Sequence, residues 1–199
     1  PQVVTLASAS QSRQKIIKKY FKNVKICCHK IDEIKIKKQN KKILPKKLVE
    51  ILSKKKAESV LKEYPNEIII GSDQILICKN KIFDKALTIK QAKENLYFLS
   101  GKEHELLSSI YVIKKGKYFF HETKKARIFF KEKTEKEINE YITKNNKTAL
   151  LTVGAYKIEE NKKFNFVKIL SGDKEVILGM PIKNFLKKMY KEKKWNYLL

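Results

Sequence analysis

Ile68-Ile69-Ile70-Gly71-Ser72-Asp73-Gln74 constrains this chain more than any other stretch. Three consecutive β-branched apolar residues, entered after Tyr64-Pro65-Asn66, form a strand buried on both faces. Such strands belong to sheets that carry helices on both sides. The strand runs out into Gly71, a permissive residue, and delivers the carboxylate of Asp73 at its end. Ligands of open α/β sheets bind outside the carboxyl ends of the strands, so Asp73 is a candidate for chemistry. The alternative is an aspartate that only caps a turn.

The rest of the chain alternates irregularly between strand and helix patterns. Val3 to Ala7 is a first strand, followed by the hydroxyl-rich turn Ser8-Ala9-Ser10-Gln11-Ser12-Arg13. That turn opens a helix whose apolar face is Ile16, Ile17, Tyr20 and Phe21, with Ser10 as its N-cap. Free N–H groups, the helix dipole and the guanidinium fork of Arg13 converge there, an arrangement suited to phosphate; an ordinary capped helix is the alternative. Val24 to Cys28 is a second strand leading to Asp32-Glu33, paired acids at a strand exit. They suit a divalent cation, or are solvated loop acids. Pro45 opens a helix reaching about Glu63, with Leu48, Ile51, Leu52, Ala57, Val60 and Leu61 on its stripe. One of Lys54, Lys55 and Lys56 can face inward, and this pattern does not choose between them.

After Asp73, Ile75 to Cys78 pairs through Lys79-Asn80-Lys81 with Ile82-Phe83, and Asp84-Lys85 sets an acid and a base at a strand end. Thr88 and Gln91 form a capping box for a helix that stops at Gly101. A hairpin joins Leu106–Ile113 to Lys117–Phe120, and Ala126 to Phe130 is a further strand. Thr134 caps a helix carrying Ile138, Tyr141 and Ile142. Val153-Gly154-Ala155-Tyr156 is a small-residue break. Phe164–Leu170 and Val176–Leu178 flank the turn Ser171-Gly172-Asp173, and Pro181 starts a last helix with Phe185, Leu186 and Met189. This mixture predicts one α/β protein with a mixed sheet. There is no dinucleotide fingerprint, phosphate-binding P-loop or nucleophile elbow in it.

A net charge of +25 invites a nucleic-acid partner. The basic residues argue otherwise: Arg13 and Arg127 are the only arginines, and the lysines are spread along the whole chain. Aspartate is equally scarce, limited to Asp32, Asp73, Asp84 and Asp173. Such skew resembles compositional drift, which leaves a solvated lysine surface that attracts anionic small molecules. Where substitution has been so thorough, the survivors mark positions at which Lys or Glu fails. All four aspartates, Arg13 and every glycine but Gly116 fall in a few short stretches. The aromatic runs Tyr118-Phe119-Phe120 and Phe129-Phe130, the only candidates for base stacking, read as core strands. Cys27, Cys28 and Cys78 make neither a metal-ligand spacing nor an even disulfide set and read as reduced filler. With no apolar run near ~20 residues and no leader pattern in Pro1-Gln2-Val3-Val4, the chain is expected in the cytoplasm, away from membranes.

Taken together, the short stretches resemble the Maf family of nucleoside triphosphate pyrophosphatases. The matching residues are Leu6 to Arg13, Ile31-Asp32-Glu33, Lys56-Ala57, Gly71 to Gln74, Asp84-Lys85, Leu99-Ser100-Gly101 with His104, Gly154-Ala155-Tyr156, and Gly172-Asp173 with Gly179-Met180-Pro181. They stand in the family's order from residue 3 to about 190. The resemblance implies one domain over residues 1–199, with two lobes around a cleft, a mixed twisted sheet and flanking helices, similar to inosine-triphosphate pyrophosphatases. It implies hydrolysis of a modified or non-canonical nucleoside triphosphate to the monophosphate and pyrophosphate with Mg²⁺ or Mn²⁺, a house-cleaning reaction. Carried over by motif, Asp73 is the catalytic base or metal-linked carboxylate, and Glu33 shares the metal. Ser8, Ser10, Arg13, Lys56 and Lys85 surround the triphosphate, with Gln74 as a substrate contact. A homodimer is compatible with this reading.

The chain also departs from the family pattern. Ser12-Arg13 stands where two basic residues are usual, Ala86 where proline commonly follows the lysine, and Glu159-Glu160 where a glycine is usual at the second position. Gln74 replaces the threonine common in dTTP- and UTP-preferring members and is similar to the branch acting on 7-methylated GTP, so the base preference stays open. The competing reading is a nucleotide- or nucleic-acid-binding regulator of cell division that does not hydrolyse its ligand.

Overall fold

The computed structural model describes residues 2–154 and 156–196. Pro1 of the N-terminal stretch and Ala155 of the small-residue break lie outside them. The strands are β1 (Val4–Leu6), β2 (Val24–Ile26), β3 (Ile68–Cys78), β4 (Lys81–Phe83), β5 (Glu103–Lys114), β6 (Lys117–Phe130) and β7 (Val167–Ser171). The helices are α1 (Gln11–Tyr20), α2 (Glu33–Gln39), α3 (Pro45–Glu58), α4 (Ile89–Leu99), α5 (Glu135–Lys144), α6 (Asn146–Ala149), α7 (Asn161–Phe164), α8 (Lys174–Ile177) and α9 (Lys183–Asn196). Strand order is β2-β1-β3-β5-β6-β7, with β4 also on β3. β1 is parallel to β2 and to β3, while β3–β4 and β6–β7 are antiparallel. The protein is therefore α/β with a mixed sheet, as the irregular alternation of patterns predicts. Two compact units divide it, one of Pro1–Asp73, Ser108–Lys124 and Gly179–Leu199, the other of Gln74–Leu107 and Lys125–Leu178.

In the first unit, the local signals act as written. Ser10 Oγ accepts the N–H of Arg13 and caps α1, which buries Ile16 and Ile17. Pro45 occupies the first turn of α3. α3 buries Leu48, Leu52 and Lys56 at i, i+4 and i+8, with Val49, Ser53 and Ala57 beside them. Ile69, Ala57, Val60, Ala7 and Ile113 form one apolar cluster, and Ile36, Leu48 and Leu52 another.

Four expectations are corrected here. Asp73 is not at a strand end: β3 continues through Gly71 to Cys78, because its backbone stays extended. Gly71 supplies room instead of conformational freedom. A Cβ there would stand 2.1 Å from Ser53 O and 2.7 Å from Ala57 N on α3. Asp32-Glu33 opens helix α2, with Asp32 Oδ1 accepting the N–H of Lys35 as its N-cap. The helix beginning at Pro45 ends at Glu58, and turns follow to about Glu63. Cys27 and Cys28 lie just past β2 and not within it.

In the second unit, Leu76, Leu96, Leu99, Phe130, Ile138, Tyr141 and Tyr156 belong to a single large core. Thr88 caps α4 by accepting from Gln91 N, and Gln91 Oε1 reaches back to Leu87 N. Thr134 and Glu137 complete a reciprocal capping box at the start of α5. Val176–Leu178, which follows the turn Ser171-Gly172-Asp173, is the end of the short helix α8 with its C-cap. The separate strand expected at Ala126 is the continuation of β6, which runs unbroken from Lys117 to Phe130.

Candidate active site

Alternation along β3 places Gly71 and Asp73 on one face and Ser72 and Gln74 on the other. The first face meets α3. With no side chain at Gly71, α3 approaches closely enough for Lys56 to reach Asp73. Lys56 Nζ lies 2.7 Å from Asp73 Oδ1 and 2.5 Å from Glu33 Oε1. Lys56 is only 4% exposed and Asp73 7%, whereas Glu33 is one-third exposed at the start of α2. Three charged groups from three elements thus share one place: two carboxylates held on a single buried ammonium.

The charge states follow from this geometry. Burial pushes the Glu33 carboxyl up, but the charge and hydrogen bond of Lys56, with Lys37 and His29 adding, outweigh it and hold the group down to about 2. Glu33 is therefore a carboxylate throughout the physiological range. Arg13 feels the same cluster: burial lowers its pKa, while the negative charges of Asp73 and Glu33 raise it. Asp73 has one oxygen on Lys56, and its Oδ2 is buried with no hydrogen-bond partner among the described residues. A buried carboxylate oxygen left in that state carries a substantial desolvation cost.

On the opposite face of β3, Ser72 Oγ donates to the carbonyl oxygen of Gly179 at 2.6 Å. Arg13 Nε donates to the same oxygen at 3.0 Å. Ser8 is buried, and its Oγ accepts from Ser10 N at 3.1 Å, so the hydroxyls of Ser8 and Ser10 shape the entry to α1.

Glu33, Lys56 and Asp73 are thus brought together, with Arg13 electrostatically coupled to them. Ser8 and Ser10 shape the turn that carries Arg13. Asp32 separates from its neighbour and caps α2. Gln74 and Lys85 belong to the second unit. There Gln74 Nε2 donates to the carbonyls of Val176 and Ile177, at 3.2 and 2.9 Å, and satisfies the end of α8. Lys85 is exposed, and its backbone forms an antiparallel bridge with Val153. Sequence reasoning also gave no role to Ser72 or Gly179. Both stand inside quoted motifs, but only the fold reveals that they share a hydrogen bond.

The second unit has a buried polar pair of its own. His104, 1% exposed, has Nε2 at 2.6 Å from the Tyr156 hydroxyl. Burial holds the imidazole down to about 4 and pushes the phenol of Tyr156 up. His104 is thus neutral near pH 7. Arg127 pairs with Glu103 on the surface of the same unit.

In this mixed-sheet α/β protein, buried Lys56 and Asp73, part-exposed Glu33 and the nearby charge of Arg13 thus form one charged site. The profile of Maf-like proteins matches residues 3–192, and the chain belongs to that family. It is 31% identical over 188 residues to a protein named 7-methyl-GTP pyrophosphatase from Bartonella henselae, covering 94% of each chain. It is 34% identical over 186 residues to a protein named dTTP/UTP pyrophosphatase from Lachnoclostridium phytofermentans, covering 90% of this chain and 89% of the relative. Among solved structures, a nucleoside-triphosphatase / dITP/XTP pyrophosphatase from Mycobacterium abscessus matches with a TM-score of 0.37 and 9% identity, covering 76% of this chain and 98% of that one. That distance says nothing of function.

Proposed function

We propose that this chain hydrolyses the α–β phosphate bond of nucleoside triphosphates, releasing a nucleoside monophosphate and pyrophosphate. The observation that carries the reading is the Glu33–Lys56–Asp73 cluster, buried at Lys56 and Asp73, with Asp73 Oδ2 buried and unpartnered among the described residues. Pyrophosphatase names among the relatives support it. Phosphoryl chemistry requires charge neutralisation and positioning more than a covalent nucleophile. Lys56 places one positive charge between the two acids, and Arg13 offers a planar fork for phosphate oxygens. Asp73, with Oδ2 unpartnered among the described residues, would act either as the base that accepts the proton of an attacking water or as a metal-linked carboxylate. Glu33, ionised at any working pH, keeps Lys56 in place.

The same two carboxylates would hold a divalent cation, Mg²⁺ or Mn²⁺. Among the described residues no group of three or more His, Cys, Asp or Glu could hold a metal ion. A hard cation of this kind needs only one or two carboxylates and is completed by phosphates and water. The unpartnered Asp73 Oδ2 is a fitting ligand atom. When bound, such an ion supplies charge neutralisation and a more acidic water.

Three free cysteines, one of them buried, support a reducing compartment such as the cytoplasm. Among the described residues, no helix is long and apolar enough to cross a membrane.

Chromatography of reactions with GTP, 7-methyl-GTP, dTTP and UTP tests the chemistry and the base preference together. Monophosphate and pyrophosphate from at least one of them is expected. A diphosphate with orthophosphate as the primary product would overturn the mechanism, and binding without turnover would favour a regulator.

A further inference from the structure

The carbonyl of Gly179 and the hydroxyl of Ser72 do more than close a loop. A peptide oxygen has two lone pairs, and this one accepts Ser72 Oγ at 2.6 Å and Arg13 Nε at 3.0 Å. Ser72 is fully buried on β3, so its hydroxyl is a fixed anchor rather than a mobile surface group. Gly179 has φ +103°, a backbone conformation that side chains rarely adopt. A Cβ there would stand 3.1 Å from Arg13 Nε and 3.2 Å from Nη2. The guanidinium therefore lies over the bare face of the glycine, held along its Nε edge.

We propose that Ser72 and Gly179 are positioning residues for Arg13, fixing its guanidinium through Nε so that the Nη groups are the donors presented to a phosphate. A guanidinium anchored on one edge loses less rotamer freedom when it binds, which favours bidentate contact over a loose point charge. The hydrogen bond from Ser72 fixes the position of the carbonyl, and with it the direction from which Arg13 Nε is held. Lysine at position 13 has no Nε–H edge and would not use this anchor, which gives a physical reason for arginine there in a chain otherwise dominated by lysine. The inference rests on the proposed phosphate contact of Arg13 and deepens it.

Tripolyphosphate, which carries the triphosphate without sugar or base, is the probe, and its affinity for the full chain is measured by calorimetry. Ser72→Ala is expected to weaken binding about tenfold, the scale of one buried hydrogen bond. Gly179→Ala is expected to do the same by crowding the guanidinium. Introduced into Arg13→Ala, already weakened, either change should alter affinity less than about twofold, because the group being positioned is gone. A merely structural Ser72 would weaken binding by the same factor with and without the arginine, and that additivity would overturn the proposal. So would unchanged affinity in both single variants. Wild-type chain that does not bind tripolyphosphate would instead remove the phosphate contact itself, a distinct failure visible before any variant is made. Should both single variants fail to fold, the wild type still decides. The Arg13 Nε–H proton, assigned by its loss in Arg13→Lys, should exchange with water at least about tenfold more slowly than the Nε–H of free arginine in the same buffer. Equal exchange would contradict an anchored edge.

Discussion

At the scale of single residues, the two arginines separate chemistry from surface. Arg13 is anchored on Gly179 and lies within the field of Asp73 and Glu33, whereas Arg127 makes an exposed pair with Glu103. Arg13→Lys should raise the Michaelis constant for a triphosphate at least about tenfold, the loss of one bidentate contact. Arg127→Lys should leave it within about twofold, since exposed ion pairs contribute little. Equal effects, read from initial rates across substrate concentration, would contradict the assignment. Much of this was legible in the sequence: where lysine has displaced almost every arginine, a surviving arginine beside a serine-rich turn is conspicuous. Lys56 was also within reach, because Leu48, Leu52 and Lys56 continue one i, i+4, i+8 stripe. A stripe read only through its apolar members hid it. Ser72 and Gly179 were out of reach, since their link to Arg13 spans most of the chain.

At the scale of elements, sequence reading failed where a local pattern mimicked another structure. Asp32-Glu33 reads as paired acids at a strand exit, but the Asp32 cap starts a helix that buries Ile36 and leaves Ile34 exposed. His121-Glu122-Thr123-Lys124-Lys125 has no apolar alternation, yet β6 continues through it alongside β5, where Thr123 Oγ1 donates to Ser109 Oγ. Val176-Ile177-Leu178 reads only as an apolar segment after a turn, while Gln74 caps the carbonyls of a helical turn there. Gly71 was recognised, though for the wrong reason. The packing of α3 on β3 depends on its missing side chain, so Gly71→Ala should destabilise the protein by roughly 1–3 kcal/mol, the usual cost of overpacking. Denaturant titration of the two proteins measures it, and a change below about 0.5 kcal/mol would show that α3 yields without cost.

For the molecule as a whole, buried His104 and part-exposed Glu33 both contribute to the acid limb of stability. His104 is held at about 4 against an ordinary value of 6.5, so the unfolded chain binds its proton first and stability falls as pH drops from about 6.5 to 4. Glu33, held at about 2 against 4.5, adds a further loss as pH falls from about 4.5 to 2. Thermal midpoints across pH should show both limbs, and His104→Gln should flatten only the upper one. A flat profile between pH 6.5 and 4 in the wild type would mean that His104 is not buried in its neutral form. The proposed cation has its own test: EDTA should abolish pyrophosphate release and Mg²⁺ or Mn²⁺ should restore it, while full activity in EDTA would remove the metal from the mechanism. The central claim is that the molecule's chemistry is concentrated at the Glu33–Lys56–Asp73 cluster, and Asp73→Asn tests it most directly. The substitution keeps the side chain's shape and removes its charge. With folding confirmed by circular dichroism, the rate of pyrophosphate release should fall far more than tenfold, a step worth only ~1.4 kcal/mol; a folded variant retaining more than about a tenth of the wild-type rate would contradict the account.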